Sequence, residues 1–188
     1  LVTVIFIFSF LSWAASGGSM NLAGLLRITI IRAVPLTLGA LSGILCERAG
    51  IVNIAIEGMM LTAAFVSTVV ASMSNLWIGM LSGMIASALL AWVLGVLSIK
   101  YKVNQVIAGT VINIFSTGIT SYLSQKFIQK TDYQFLNEPG MFPQMEIPVL
   151  SKIPLIGPIL FQHNIYIFTT IILVIVLTIA LFQTRWGL

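Results

Sequence analysis

The sequence has 188 residues, of which 59% are hydrophobic and 7% are charged, and its formal net charge is +4. Ordinary soluble domains carry about 25% charged residues, so this composition excludes a soluble domain and indicates several membrane crossings. The nine Lys and Arg residues are scattered at the ends of apolar segments. This pattern is typical of membrane-edge anchors, so we expect contact with membrane lipids and no binding of nucleic acid.

Apolar segments predict about six membrane helices. Their approximate bounds are 1–16, 33–46, 57–73, 76–99, 103–124 and 164–184. A helix needs roughly 20 apolar residues to cross a bilayer, and most of these segments approach that length. The predicted fold class is therefore all-α, a polytopic transmembrane helix bundle. A turn over Ser72–Asn75 separates the third and fourth segments.

The amino-terminal segment carries no charge from Leu1 to Leu26. Because the chain opens with Leu rather than Met, we expect a fragment that starts within or just before a hydrophobic helix. A cleavable signal peptide is a poorer interpretation, since no basic region precedes the apolar run.

The second segment is short and a charged stretch follows it at once. It has 14 uncharged residues with Pro35 near its start, and the chain then reads CERAGIVNIAIEG over 46–58. Membrane proteins place binding sites or pathways at short hydrophobic segments interrupted by glycine, because free backbone groups need protein or water beside them.

The charged stretch contains Glu47, Arg48 and Glu57. Three unpaired charges at the bilayer centre would cost roughly 8–10 kcal/mol, so these residues do not face lipid. The stretch is either a cytoplasmic turn with its charges in water or a segment folded back inside the bundle beside a polar cavity. Gly50 suits a helix C-terminus, and Asn53 suits the cap of the next helix. Glu57 could pair with a buried partner or hold a broken helix.

The fourth and fifth segments have different faces. The fourth has a small residue at every fourth position, which lets another helix approach closely: Gly79, Gly83, Ser87, Ala91 and Gly95. The fifth has a polar face formed by Gly109, Thr110, Asn113, Thr117, Thr120 and Ser124, with Asn104 and Gln105 at its entrance.

Residues 125–163 predict a Pro-rich loop or small cap outside the bilayer. Its five prolines argue against a long helix there: Pro139, Pro143, Pro148, Pro154 and Pro158. The positive-inside rule places the Lys100–Lys102 loop and Arg185 in the cytoplasm, which makes the Pro-rich loop extracytoplasmic. Arg27 and Arg32 would then lie outside, against the rule.

Sequence motifs for catalysis or metal binding are absent. The sequence has no GxxxxGK[ST], HExxH or Gly-x-Ser-x-Gly, and Cys46 is its single cysteine, so we expect no catalytic residue, metal or cofactor on this chain. His163, the single histidine, is expected to be solvated or to cap a helix. A passive channel would need a ring of acids or a carbonyl filter, and neither appears. A structural or assembly subunit remains an alternative.

Four stretches carry a resemblance to one family. They read GALSGILCERAGIVNIAIEGMMLTAAF, NQVIAGTVINIFSTGITSYLS, IPLIGPILF and FQTRWGL. From about Pro35 to Leu188 the chain resembles bacterial ABC-importer permeases of the branched-chain amino acid and simple-sugar superfamily, specifically its nucleoside-type branch. The most specific element is a spacing that the resemblance marks as the family signature, with a structural role: Glu47, Arg48, Gly50, Asn53, Glu57 and Gly58.

The resemblance implies one transmembrane permease domain over 1–188, a fragment of a multi-pass protein of the bacterial inner membrane. It implies three protein partners: ATP-binding subunits that hydrolyse ATP, a second permease that is homologous or identical, and an extracytoplasmic substrate-binding lipoprotein. Membrane lipid is the fourth expected partner. The expected cargo is nucleosides. Simple sugars of the ribose type and branched-chain amino acids are alternatives, and a passive channel or membrane scaffold is an alternative of another class.

Four polar residues are the candidates for contact with cargo along the translocation path: Asn104, Gln105, Asn113 and Thr117. Their amides and hydroxyls can bond sugar hydroxyls or base edges without stranding a charge in the membrane. The alternative is that they form interhelical hydrogen bonds, worth about 0.6 kcal/mol each on average. Both interpretations fit the sequence.

Overall fold

The computed structural model describes residues 2–14, 22–129, 135–146 and 162–184. Within them the helices are α1 Val2–Ala14, α2 Leu22–Arg48, α3 Ile56–Met73, α4 Leu76–Gly95, α5 Gln105–Leu123 and α6 Ile165–Gln183. Single π-helical turns, Val96–Lys100 and Ser124–Ile128, extend α4 and α5. Two short strands, β1 Gln144–Glu146 and β2 Gln162–Asn164, pair with each other. The all-α prediction is confirmed.

Five of the described helices are long and apolar enough to cross a membrane, and α1 is a shorter apolar helix. The π turns belong to two of these spans, Leu76–Lys100 and Gln105–Ile128. Many large apolar side chains on the spans are exposed in the isolated chain, among them Ile114 at 68% and Ile172 at 61%. Such a surface suits lipid or neighbouring helices, because the backbone polar groups are already bonded within each helix.

Helix α2 departs most from the sequence-based expectation. The sequence predicts a short segment over 33–46, but the helix has 27 residues and includes Arg27 and Pro35. Pro35 removes one backbone donor, which transmembrane helices tolerate. Arg27 Nη2 donates to Gln144 Oε1 at 2.9 Å, so this arginine has a polar partner without ending the helix. The predicted start of this helix at residue 33 is therefore wrong, whereas the observed break at 49–55 lies within the predicted polar stretch 46–58.

Contacts divide the chain into two compact units, one containing 1–33 with 144–163 and the other 34–143 with 164–188. The core of the second unit is a small group of buried residues from the start of α3, from α4 and from α5: Ala55, Met59, Leu94, Ala108 and Ile112. The candidate functional site described below lies in this second unit.

Helices α3 and α4 pack closely through small residues. A Cβ atom on Gly79 would clash with Ala71, and one on Gly83 would lie 2.8 Å from the carbonyl oxygen of Ala63. Asn75 begins α4 by accepting a hydrogen bond from the Ile78 amide at 2.9 Å. The first half of the predicted small-residue face therefore contacts α3. A Cβ on Gly95, at the other end, would meet nothing within 4 Å.

The described part of the predicted Pro-rich loop is structured, as expected. Ser72 Oγ, near the end of α3, donates to the carbonyl oxygen of Leu136 at 2.9 Å. The ring of Phe142 makes edge-to-face contacts with Trp77 and Tyr166 at centroid distances of 5.3 and 4.8 Å. Residues 135–143 thus pack on the α3–α4 turn and the start of α6. Residues 130–134 and 147–161 of the predicted loop lie outside the described residues.

His163 does not match its expected environment. The sequence predicts that it is solvated or caps a helix, but it lies in β2 and is only 2% exposed. The expectation of a solvated side chain is therefore wrong, because His163 is buried in a strand that pairs with β1.

Candidate functional site

The family signature begins at the end of α2. Gly50 has φ +80°, its amide donates to the carbonyl oxygen of Glu47 at 3.0 Å, and the Ile51 amide donates to that of Cys46 at 3.0 Å. This is a Schellman motif with glycine in the left-handed conformation, so the prediction for Gly50 is confirmed. We call residues 49–55, between α2 and α3, the signature loop.

The three charged residues of the signature lie at helix ends. Glu47 and Arg48 belong to the last turn of α2, and Glu57 belongs to the first turn of α3. All three are exposed. The Arg48 guanidinium lies 5.6 Å above the ring of Phe182 on α6. A carboxylate at Glu57 also interacts favourably with the helix dipole. The charges are thus exposed in the isolated chain, whereas Ala55 and the two residues after Glu57 are buried. Whether the stretch is a cytoplasmic turn or lies inside the bundle beside a polar cavity stays a prediction.

Asn53 joins the two ends of the signature loop. Its Oδ1 accepts a hydrogen bond from the Ala55 amide at 3.0 Å, and its Nδ2 lies 3.7 Å from both Cys46 Sγ and Met59 Sδ. The prediction that Asn53 caps α3 is wrong, because the cap position is Ala55 and has no side-chain hydrogen bond. Asn53 instead closes a local turn before the helix.

Two side-chain amides of α5 bind the backbone of the signature loop and of the first turn of α3. Gln105 Oε1 accepts from the Val52 amide at 2.7 Å, and its Nε2 donates to the carbonyl oxygen of Gly50 at 3.3 Å. Asn113 Oδ1 accepts from the Gly58 amide at 2.7 Å, and its Nδ2 donates to the carbonyl oxygen of Ile54 at 2.8 Å. These backbone groups lie outside helical hydrogen bonding, so the amides satisfy them.

Two glycines let α5 approach this segment. A Cβ on Gly58 would lie 2.8 Å from Asn113 Oδ1 and 3.0 Å from Asn113 Cα. A Cβ on Gly109 would lie 3.0 Å from Ile54 Cβ and 3.2 Å from the Ala55 amide nitrogen. The glycines and the amides therefore act together, because the hydrogen bonds need the close backbone contact.

The other two candidates for cargo contact lie elsewhere. Asn104 caps α5, and its Oδ1 accepts from the amides of Val106 at 2.9 Å and Ile107 at 3.4 Å. Thr117 is exposed, and its hydroxyl donates to the carbonyl oxygen of Asn113 at 2.9 Å within α5. The structure thus brings Gln105 and Asn113 onto the signature loop and the start of α3, whereas Asn104 and Thr117 bond within their own helix. Contact of any of the four with cargo stays a prediction.

A cavity of about 410 Å³ with many polar lining residues lies between α3 and α5, near Asn137. We call it the α3–α5 cavity. It is lined by Leu61, Ala64, Phe65, Thr68, Thr120, Ser121, Ser124, Gln125, Ile128, Gln129 and Asn137. Sequence reasoning identified Thr120 and Ser124 on the polar face but missed Ser121, Gln125, Gln129 and Asn137. The available signal was the continuation of that face past Ser124, where glutamines follow.

A second, larger cavity of about 1020 Å³ separates the carboxyl-terminal half of α2 from the α3–α4 pair. We call it the α2 groove. Its lining runs from Pro35 to Cys46 on α2 and is mainly apolar on α3 and α4, and Phe142 and Tyr166 contribute beside them. Within the described residues there is also no group of three His, Cys, Asp or Glu side chains placed to hold a metal ion.

Comparison with known proteins agrees with the resemblance found in the sequence. The profile of the family described as the permease component of the branched-chain amino acid transport system matches residues 6–188. A putative glucose ABC transporter permease protein (TsgC13) from Haloferax volcanii is 32% identical over 88% of this chain and 50% of its own length. No solved structure matches the chain.

Two further relatives are named for nucleosides. The nucleoside ABC transporter permease protein NupC from Lactococcus lactis is 31% identical over 90% of this chain and 56% of its own length. The guanosine ABC transporter permease protein NupQ from Bacillus subtilis is 32% identical over 85% of this chain and 52% of its own length. The chain spans about half the length of these curated relatives. It belongs to the branched-chain amino acid transport system permease family of ABC transporters, and it is a multi-pass membrane protein.

Proposed function

We propose that this chain is part of the permease subunit of an ATP-driven importer that carries nucleosides. Two relatives named for nucleoside or guanosine transport align with 85–90% of the chain, which supports this cargo class. The proposed location is the inner membrane of a bacterium, in keeping with five described helices of membrane length.

The observation that carries the proposal is the uncharged polar lining of the α3–α5 cavity. Hydroxyl and amide side chains supply its polar groups, and among the described residues its lining includes no Asp, Glu, Lys, Arg or His. A nucleoside is neutral and rich in hydroxyls, so such groups can bind it without a counter-charge. An amino acid carries a carboxylate and an ammonium group, and desolvating both without ionic partners is costly. The geometry therefore favours a neutral cargo over branched-chain amino acids.

The energy for import would come from partner chains. Since the sequence has no GxxxxGK[ST] motif, we propose that separate ATP-binding subunits bind and hydrolyse ATP and drive alternating access in the membrane. A second permease subunit, homologous or identical, would complete the path, and an extracytoplasmic lipoprotein would deliver the cargo. The names of the relatives support an ABC transporter complex of this kind.

Simple sugars are the second candidate cargo. The Haloferax volcanii relative is named as a putative glucose permease, and a neutral hydroxyl-binding cavity suits a sugar as well as a nucleoside. Both cargoes present ring hydroxyls, which the same hydroxyl and amide side chains can bind.

Uptake into proteoliposomes tests the function. The complete transporter, with all its subunits, is expected to accumulate labelled guanosine against a gradient only when ATP is supplied. Glucose uptake without guanosine uptake would shift the cargo to sugars, and leucine uptake alone would contradict a neutral cargo. ATP-independent entry that stops at equal concentrations would instead indicate a passive channel.

A further inference from the structure

The α3–α5 cavity contains more hydrogen-bonding capacity than the described chain uses. Thr68 Oγ1 donates to the carbonyl oxygen of Ala64 at 2.8 Å, and Thr120 Oγ1 donates to that of Ser116 at 2.6 Å. Each threonine oxygen keeps lone pairs that can accept a further hydrogen bond. The other polar lining side chains have no hydrogen-bond partner among the described residues: Ser121, Ser124, Gln125, Gln129 and Asn137.

A π-helical turn forms one wall of the cavity. The Gln129 amide donates to the carbonyl oxygen of Ser124 at 3.0 Å, an i→i+5 bond. Gln129 therefore lies one full turn above Ser124, and both line the cavity together. Single π turns are frequent at functional sites, because they change which side chains share a helix face.

The two charged residues that the structure describes near this wall, Lys126 and Glu138, do not line the cavity. Lys126 is exposed, and its Nζ lies 5.8 Å from the ring centroid of Tyr122 and 5.7 Å from that of Phe127. Glu138, which follows Asn137, is exposed and is likewise outside the lining. The described lining therefore offers donors and acceptors without a fixed charge, which suits hydroxyls better than phosphate or carboxylate groups.

We propose that the α3–α5 cavity is a subsite that binds the sugar hydroxyls of the cargo. This inference rests on the proposed function. The amides of Gln125 and Gln129 donate and accept, as ring hydroxyls require, and the volume of about 410 Å³ falls within the roughly 300–1,000 Å³ of small-molecule sites. Phe65 on α3 adds an aromatic surface on which a nucleobase can stack. Sugar hydroxyls thus bind the α5 wall, and the base binds the α3 wall.

The test uses the complete transporter in proteoliposomes with labelled guanosine and labelled glucose at concentrations below saturation. Gln125→Leu and Gln129→Leu are each expected to lower ATP-driven uptake of the transported probe about tenfold, the effect of one lost hydrogen bond. Gln183→Leu, an exposed glutamine at the end of α6, is the matched control and is expected to retain wild-type uptake. Phe65→Ala is expected to lower guanosine uptake and to leave any glucose uptake unchanged.

A second measurement does not depend on the glutamine variants folding well. In a Ser124→Cys variant of the complete transporter, a small thiol reagent is expected to label the introduced group, and the transported probe is expected to slow the labelling at least fivefold. Gln183→Cys is expected to be labelled at the same rate with and without the probe.

The two failures are distinguishable. If the wild-type transporter takes up neither probe with ATP, the proposed function fails and the inference fails with it. If the wild type takes up a probe, yet both glutamine variants match it and the probe leaves Ser124→Cys labelling unchanged, the function stands and the subsite is overturned. Protection by glucose alone supports the subsite and assigns it to a free sugar.

Discussion

The contacts that α3 and the signature loop make with α5 are of a different kind from those that α3 makes with α2. On the α5 side, Gly58 and Gly109 bring backbones together, and Gln105 and Asn113 form four hydrogen bonds across the contact. On the α2 side, the closest glycine approach is that of Gly39, whose Cβ would lie 3.3 Å from Ile56 Cγ2. Beyond it the α2 groove opens to about 1020 Å³.

The difference follows from how helices associate in a membrane. Apolar surface gives little driving force there, because lipid is as apolar as the partner helix, so close backbone packing and hydrogen bonds decide which contacts are fixed. The α5 contact has both. The α2 contact has little of either, so we expect α3 and α5 to move as one body and α2 to move relative to them during transport.

The largest effect is expected from Gly58→Ala. The added Cβ would meet Asn113 Oδ1 at 2.8 Å and Asn113 Cα at 3.0 Å. The Cα atom belongs to the backbone of α5, so a change of side-chain rotamer cannot relieve this contact. The free energy of unfolding of the complete protein in detergent should fall by about 3 kcal/mol. Gly118→Ala on α5 is the control, since its Cβ would meet nothing within 4 Å. Equal stability of the two variants would show that the α3–α5 contact is looser than described.

Asn113→Leu should rank second. It leaves the Gly58 amide and the Ile54 carbonyl without their partners, which should lower the free energy of unfolding by about 2 kcal/mol. Thr117→Val removes only a bond to its own helix and should stay within about 0.5 kcal/mol of the wild type. A Thr117→Val variant of normal stability but low guanosine uptake would support the prediction that Thr117 contacts cargo. Wild-type stability for Asn113→Leu would show that this amide does not stabilise the contact between α3 and α5.

Gln105→Leu should act locally. Its amide holds the exposed backbone of Gly50 and Val52, so hydrogen exchange in peptides covering 50–52 should accelerate about fivefold, equivalent to about 1 kcal/mol. The rest of the chain should exchange at the wild-type rate. Gln183→Leu should leave both regions unchanged. Unaltered exchange at 50–52 in Gln105→Leu would mean that the signature loop holds its shape without α5.

The smallest effect is expected in the α2 groove. Ala91→Leu on α4 extends into open space, so the free energy of unfolding should change by less than about 0.5 kcal/mol. Gly83→Ala, two turns earlier on α4, is the contrast, because its Cβ would lie 2.8 Å from the Ala63 carbonyl oxygen and should destabilise the protein. If Ala91→Leu is as damaging as Gly83→Ala, another part of the complete protein fills the groove.

The sequence by itself determined the helical membrane fold, the turn between α3 and α4, and the end of α2 at Gly50. These features depend on local chemistry, namely apolar runs of membrane length, polar interruptions and a glycine that tolerates positive φ. The same local rules predicted the wrong start for α2. Arginine and proline end a membrane helix only where no partner compensates for them, and a local pattern does not show the partner. The expectation that His163 is solvated failed for a related reason, since burial depends on tertiary contacts that a local pattern does not reveal.

Only the tertiary structure decided what the polar residues of α5 do. Asn113 and Thr117 are one helical turn apart and look equivalent in the sequence, yet Asn113 bonds the backbone of the signature segment while Thr117 bonds its own helix. The α3–α5 cavity was also out of reach of sequence patterns, because it combines residues more than 50 positions apart. The sequence shows which face of a helix is polar. The packing of the neighbouring helix decides whether the polar groups on that face bond to the protein or stay available to a ligand.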